Sequence, residues 1–137
     1  MPVDQSLVGR AFPPTAPLEV TEERVAAFAA SLGAPYDASG DASAVPPTYP
    51  IVLAFDAMQA FLASEQIDLF RIVHGEQRFA YERPVVVGDV LTCALTVTSL
   101  RSIGGNDIVG TTSAVTGADG EVVCTGTATL VHRGGPA

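Results

Sequence analysis

The chain has 137 residues, 47% of them hydrophobic and 16% charged, which is enough for one domain with a real core and excludes a disordered chain. The formal net charge is −8 and all seven basic residues are arginine, which argues against non-specific binding to nucleic acid or to an anionic membrane. We therefore expect a single domain over residues 1–137.

The first third of the chain predicts a short strand, a helix and a long irregular segment. Leu18–Val20 is the short strand, and the helix covers about 21–32, with Thr21 as the N-cap and Gly33 as the stop. Residues 33–50 then hold four prolines and two glycines. A loop this long inside a compact domain is usually functional or disordered.

The central stretch, Pro50 to Ala63, is apolar almost all the way round and predicts a helix running to about Gln66, with Thr48 as its cap. Only Asp56 and Gln59 interrupt it. Because a bilayer-spanning helix needs roughly 20 apolar residues, this one belongs inside the protein instead.

Four strands follow, and their side chains alternate between apolar and polar. The clearest alternations place Gln77, Phe79 and Tyr81 on one side of the first strand, and Leu91, Cys93, Leu95 and Val97 on one side of the second. The predicted class is α+β, with an antiparallel sheet wrapped around the central helix. An exposed sheet face or edge is a liability, so we also expect a dimer.

Cys93 and Cys124 lie on the apolar side of predicted strands and are expected to be free and buried. No His/Cys grouping has metal-ligand spacing, so we expect neither a metal nor a cofactor. The amino terminus carries no segment of signal type, and we expect a cytoplasmic protein.

The candidate acid–base groups are few. His74 begins a strand beside Gly75, where a ligand can approach closely, although a structural histidine is the alternative. Asp56 would gain a raised pKa if buried in the apolar helix, but it equally marks a solvated stripe or a surface facing a partner. Asp37 lies in the loop, and His132 is expected at the surface.

The run RIVHGEQRFAYERPVVVGDVLTCALTV resembles the amino-terminal, FAS1-like dehydratase domain of the MaoC-like family. The most specific piece is His-Gly-Glu-Gln at 74–77 followed by Arg-Pro-x-x-x-Gly-Asp at 83–89. VGRAFPP, LEVTEERVAAFAASLG and VPPTYPIVLAF extend the likeness, which is closest to the non-catalytic type of subunit in heterodimeric (3R)-hydroxyacyl-ACP dehydratases. The resemblance implies a hot-dog fold and substrates that are 3-hydroxyacyl or trans-2-enoyl thioesters of CoA or acyl carrier protein.

The sequence departs from the family where its catalytic groups are expected. The resemblance implies an Asp, an Asn or Asp with Pro, and a His just after the first helix, yet residues 33–41 read GAPYDASGD. Asp37 is the only carboxylate at a plausible place and has no histidine partner. The resemblance therefore implies a hydratase fold in a chain that is not itself a complete hydratase.

Three hypotheses follow. The first is a substrate-shaping subunit of a hydratase or dehydratase, working as a homodimer or as a heterodimer with a catalytic MaoC-like chain. Its acyl site would be lined or backed by Phe55, Met58, Phe61 and Leu62, with His74, Gly75 and Gln77 near the thioester. The alternatives are a hot-dog thioesterase using Asp56 and a non-catalytic acyl-thioester-binding protein.

Overall fold

The computed structural model describes residues 3–33 and 45–134. Its helices and strands follow the predicted order. They are β1 (Leu18–Glu19), α1 (Glu22–Ser31), α2 (Ile51–Ser64), β2 (Ile72–Tyr81), β3 (Val90–Ile103), β4 (Asn106–Thr116) and β5 (Val122–His132), with single 3-10 turns at Gln5–Leu7 and Leu69–Arg71.

The strands form one antiparallel sheet in the order β1-β3-β4-β5-β2. The sheet curls around α2, and its inner face carries the apolar side chains predicted from the alternation. Leu91, Cys93, Leu95 and Val97 are all at most 2% exposed. The predicted α+β class is confirmed.

Local sequence explains both ends of α1. The Thr21 hydroxyl accepts a hydrogen bond from the Arg24 amide at 3.1 Å, and Glu22 and Glu23 lie in the first turn, where the helix dipole favours carboxylates. Gly33 follows with φ of 78°, the left-handed conformation that commonly ends a helix.

The ends of α2 differ from the prediction. Thr48 does not cap the helix: the N-cap position is Pro50, which offers no side-chain hydrogen bond. The helix ends at Ser64 instead of near Gln66, because Gln66 adopts φ of 57° and turns the chain away from the helical path.

The prediction that α2 lies inside the protein is wrong for part of its surface in the single chain, because the sheet covers only one side of the helix. Met58, Phe61 and Leu62 face the core, and the Phe61 ring meets that of Phe12 edge-on at 4.9 Å. On the other side Phe55 is 39% exposed, and Asp56 is exposed as well.

The residues before β1, 3–17, form an amino-terminal arm that covers one edge of the sheet. The amides of Gly9, Phe12 and Thr15 donate to carbonyl oxygens of β3 at 2.8–2.9 Å. The outer edge of β3 is therefore closed by this arm and by β1, whereas the outer edge of β2 has no strand beside it among the described residues.

The prediction that His132 lies at the surface is wrong. It is 5% exposed, because β5 extends to this residue and places it on the inner face opposite Asp107. The amino-terminal arm covers the pair, and the Val3 amide donates to Asp107 Oδ2 at 2.8 Å.

Candidate functional site

The inner face of β2 carries an accessible row of side chains that we call the β2 strip: His74, Gln77, Phe79 and Tyr81. A bulge at Gly75 shifts the register between His74 and Glu76. Because of this shift, His74 faces Leu130 while Gln77 faces Ala128, two residues apart on β5 and therefore on the same side of the sheet.

The bulge brings together two of the predicted site residues. His74 Nε2 lies 3.0 Å from Gln77 Oε1, so the imidazole donates to the amide oxygen. His74 is exposed and Gln77 is half-buried. The pair thus offers an oriented imidazole and an amide at an open position on the sheet.

Tyr81, at the end of the strip, borders a cavity of about 460 Å³ that we call the Tyr81 pocket. The pocket is lined by Val45, Pro46, Pro47, Tyr81, Glu82, Arg83, Pro84 and Val85. The Tyr81 phenol donates a hydrogen bond to the Pro47 carbonyl. Burial raises the pKa of Tyr81 to about 12, so this donor stays protonated at neutral pH. The lining is mainly apolar, with one cation and one carboxylate at its margin.

Arg83 is held rigidly in the wall of this pocket. Its guanidinium donates to both carboxylate oxygens of Asp89, at 2.9 and 3.1 Å, and approaches Glu121 at 3.6 Å. The hydrogen bonds that Arg83 donates to Asp89 raise the pKa of Arg83, although burial opposes this. Asp89 Oδ2 also accepts the Val86 amide at 2.9 Å. The side chain of Arg83 is therefore oriented before any ligand binds.

A second cavity, of about 410 Å³, lies at the opposite end of α2. Its walls are Val3, Asp4, Leu7, Glu65, Gln66, Ile67, Asp68, Arg71 and His132. His132 Nδ1 lies 3.8 Å from Asp107 Oδ2, too far for a hydrogen bond, and is buried without a hydrogen-bond partner. Burial lowers the pKa of His132 despite the nearby carboxylate, so the imidazole is neutral at pH 7.

The other predicted site residues lie apart from these features. Met58, Phe61 and Leu62 belong to the core, and Phe55 and Asp56 lie on the open side of α2. Neither of the two cavities is lined by any of these five. Asp37 and the rest of 34–44 fall outside the described residues.

Sequence reasoning missed the contacts that build the Tyr81 pocket. Tyr81 and Pro47 are 34 residues apart in the chain, and no local sequence pattern predicts their contact. The alternation did place Tyr81 on the same side as Gln77, and the Arg-Pro-x-x-x-Gly-Asp motif contains both Arg83 and Asp89. The motif was therefore a usable signal for the ion pair in the pocket wall.

Two further observations concern the described part of the chain. No three His, Cys, Asp or Glu side chains within it are grouped so that they could hold a metal ion. None of its helices is long and apolar enough to cross a membrane.

Cys93 and Cys124 are free and buried, and burial raises the pKa of each thiol to about 11.

A curled antiparallel sheet around one helix, with an accessible strip on its edge strand, defines a hot-dog protein, and the expected fold is confirmed. The chain belongs to the family described as FAS1-like, dehydratase domain region, which matches residues 6–126.

Named relatives agree with this assignment. A UPF0336 protein of Leifsonia xyli subsp. xyli is 42% identical over 98% of each chain. A chain of the truncated HadBC (3R-hydroxyacyl-ACP dehydratase) complex of Mycobacterium tuberculosis has a TM-score of 0.78 at 27% identity, covering 91% of this chain and 96% of that one. The (R)-hydratase of A. caviae has a TM-score of 0.62 at 26% identity, covering 93% and 98%.

Proposed function

We propose that the chain is a substrate-shaping subunit of a cytoplasmic (3R)-hydroxyacyl-thioester dehydratase or enoyl hydratase. The observation that carries this proposal is a dehydratase-family chain whose segment 33–41, GAPYDASGD, contains no histidine. Adding water to an enoyl thioester requires one group that removes a proton from water and one that protonates the α-carbon. A second chain must complete that pair.

The acyl thioester would lie along the β2 strip and enter the Tyr81 pocket. A mainly apolar cavity of about 460 Å³ is large enough for a short or medium acyl chain. His74 and Gln77 lie on the same face, close enough to one another to contact a thioester carbonyl together. Phe55, on the open side of α2, offers further apolar surface.

His74 alone does not complete the chemistry. Its Nε2 is engaged by Gln77, which holds the ring in one orientation. The single N–H of a neutral imidazole is thus given to Gln77, so a hydrogen bond to developing negative charge on a thioester oxygen would come from the Gln77 amide. His74 would then have a positioning role, because it fixes the orientation of that amide. The proton transfers at the α-carbon and at the attacking water would fall to the second chain.

The open edge of β2 supports a second chain as the missing component. A ten-residue strand whose outer edge has no neighbour among the described residues is a ready template for another strand. We expect this partner to be a catalytic MaoC-like chain that carries both the Asp and the His, with a homodimer as the alternative assembly.

The test is hydration of a trans-2-enoyl-CoA, followed by loss of the enoyl absorbance. The purified chain is assayed alone and after mixing with a MaoC-like chain that carries the Asp–His motif. We expect no rate above background from the chain alone and hydration by the mixture. Brisk hydration by the chain alone, or a mixture no faster than the catalytic chain by itself, would refute the subunit role.

The exposure of Asp56 favours one other candidate, a thioesterase in which this carboxylate acts as base or nucleophile. A solvent-accessible carboxylate on the open side of the central helix can reach a thioester bound there. The thioesterase hypothesis is tested by detecting the free thiol released from a panel of acyl-CoA substrates. Asp56→Asn is the diagnostic variant, and Gln59→Ala, at a nearby exposed position, is the control. Thermal stabilisation by acyl-CoA without turnover would instead indicate a non-catalytic binding protein.

A further inference from the structure

Gly126 lies in the interior of β5, where a glycine weakens a strand. Its backbone is part of the extended strand and is not in the left-handed region, so a residue with a side chain could adopt the same conformation. Glycine inside a strand often marks a place where another group approaches closely. The structural reason for this glycine is therefore the space beside it and not its backbone.

Two side chains of the β2 strip occupy that space. Gly126 lies directly opposite Phe79 in the register of β5 with β2. A Cβ atom on residue 126 would lie 3.2 Å from Cε1 of the Phe79 ring and 3.1 Å from Nε2 of Gln77. Carbon atoms in contact prefer about 3.5–4.0 Å. A side chain at this position would therefore push both groups away from β5.

Phe79 lies between the two parts of the proposed acyl site. It is half-buried on the inner face, with Gln77 before it and Tyr81 after it, and each step of two residues along a strand covers about 7 Å. Helix α2 packs mainly over β3 and β4, so the inner face of β5 and β2 lies beside the helix. An acyl chain whose thioester is at Gln77 must cross the Phe79 ring to reach the Tyr81 pocket.

We propose that Gly126 is a specificity-determining residue for the length of the acyl chain. Because it leaves room for the Phe79 ring against β5, the way from Gln77 to the Tyr81 pocket stays open to chains that extend past this ring. A short chain ends before the ring and does not depend on Gly126. This inference rests on the acyl site of the proposed function, but it does not require a catalytic partner.

The test measures the binding of butyryl-CoA and octanoyl-CoA to the purified full chain by isothermal titration calorimetry. Both thioesters are saturated, so neither can be hydrated and the measurement reports binding alone. Gly126→Ala should raise the ring of Phe79 into the path of the longer chain. We expect it to weaken octanoyl-CoA binding about tenfold or more and butyryl-CoA binding by about twofold at most.

Two further variants separate this role from a general loss of structure. Phe79→Leu in the Gly126→Ala background removes the ring that the new methyl group displaces, and it should restore octanoyl-CoA binding. Phe79→Trp enlarges the ring while Gly126 stays intact, and it should also weaken octanoyl-CoA binding selectively. The matched control is Ala80→Thr, which adds bulk to an exposed position on the outer face of β2 and should leave both affinities unchanged. Circular dichroism verifies that each variant is folded.

Equal losses for the two thioesters in Gly126→Ala would overturn the inference. It would equally be overturned by a wild-type chain that binds neither thioester, by an octanoyl-CoA affinity that both Gly126→Ala and Phe79→Trp leave unchanged, or by a loss that Phe79→Leu does not reverse. The hydration assay with the catalytic chain tests the subunit role separately. Failed hydration together with the expected length selectivity refutes that role alone, and hydration without this selectivity refutes the role of Gly126 alone.

Discussion

The Tyr81 phenol donates its hydrogen bond to the Pro47 carbonyl, which joins the edge strand to the turn that begins the central helix. This contact forms one side of the Tyr81 pocket and places the end of the β2 strip next to the segment that enters α2. The Tyr81 side chain therefore fixes one wall of the pocket against another.

Tyr81→Phe removes this hydrogen bond and keeps the ring. We expect the free energy of unfolding to fall by about 1 kcal/mol, since one partner of a hydrogen bond is lost. Urea denaturation followed by circular dichroism measures the change. An unchanged midpoint would show that the contact contributes nothing to stability.

The same variant has a distinctive pH dependence. In the folded chain the pKa of Tyr81 is raised from 10.0 to about 12, so its contribution is fully present below pH 10 and is lost as the pH rises toward 12. The difference in unfolding free energy between the wild type and Tyr81→Phe should shrink over this range. A constant difference between pH 9 and pH 11 would contradict the raised pKa.

His132 should make the protein sensitive to mild acid. Burial lowers its pKa below 6.5 in the folded state, so the stability it contributes is present above pH 6.5 and is lost as the pH falls below that value. The slope approaches about 1.4 kcal/mol per pH unit at most, because one proton is involved. His132→Gln should flatten the stability profile in this window. An unchanged profile in His132→Gln would contradict the lowered pKa of His132.

Asp107 anchors the amino-terminal arm. Burial disfavours its charge, but hydrogen bonds from the Ser102 hydroxyl and the Val3 amide outweigh burial and hold the pKa of Asp107 below its usual range. Asp107→Asn replaces one of the two acceptor oxygens by a donor and removes the charge, so we expect a loss of about 1–3 kcal/mol. Hydrogen exchange at the arm should accelerate as well. Ser102→Ala removes only one donor and should have a smaller effect on both measurements.

Asp89 holds Arg83 in the pocket wall and also accepts the Val86 amide. Asp89→Asn should lower the unfolding free energy by about 1–2 kcal/mol, a range that allows for solvent screening of the half-exposed arginine. In the assay with the catalytic chain, a loosened Arg83 should raise KM more than it lowers kcat. Glu121→Gln touches Arg83 only through the longer contact and provides the matched control.

Much of the β-sheet was predictable because strand alternation is a local property. The pattern placed Gln77, Phe79 and Tyr81 on one face, and the register with β5 confirms it. The alternation fails where the chain gains an extra residue. Near Val122 the register shifts, so this residue is 42% exposed although strict alternation would place it on the same side as Cys124, which is fully buried.

The site was less predictable than the fold, because its contacts join distant segments. His132 was expected at the surface, but β5 extends to it and the amino-terminal arm covers it, so it is buried. Helical periodicity marked α2 as apolar on all sides but could not show that the sheet covers only one of them. Phe55 and Asp56 are exposed for this reason.

The amino-acid sequence by itself determined the order of helices and strands, the inward side of the strands that alternate clearly, and the family. These depend on side-chain spacing and local motifs, which a linear chain displays directly. The tertiary structure alone decided which groups meet, such as Tyr81 with Pro47 and His132 with Asp107. It also decided that the outer edge of β2 has no strand beside it within residues 3–33 and 45–134. Such contacts form only when the curvature of the sheet brings together segments that no local pattern relates.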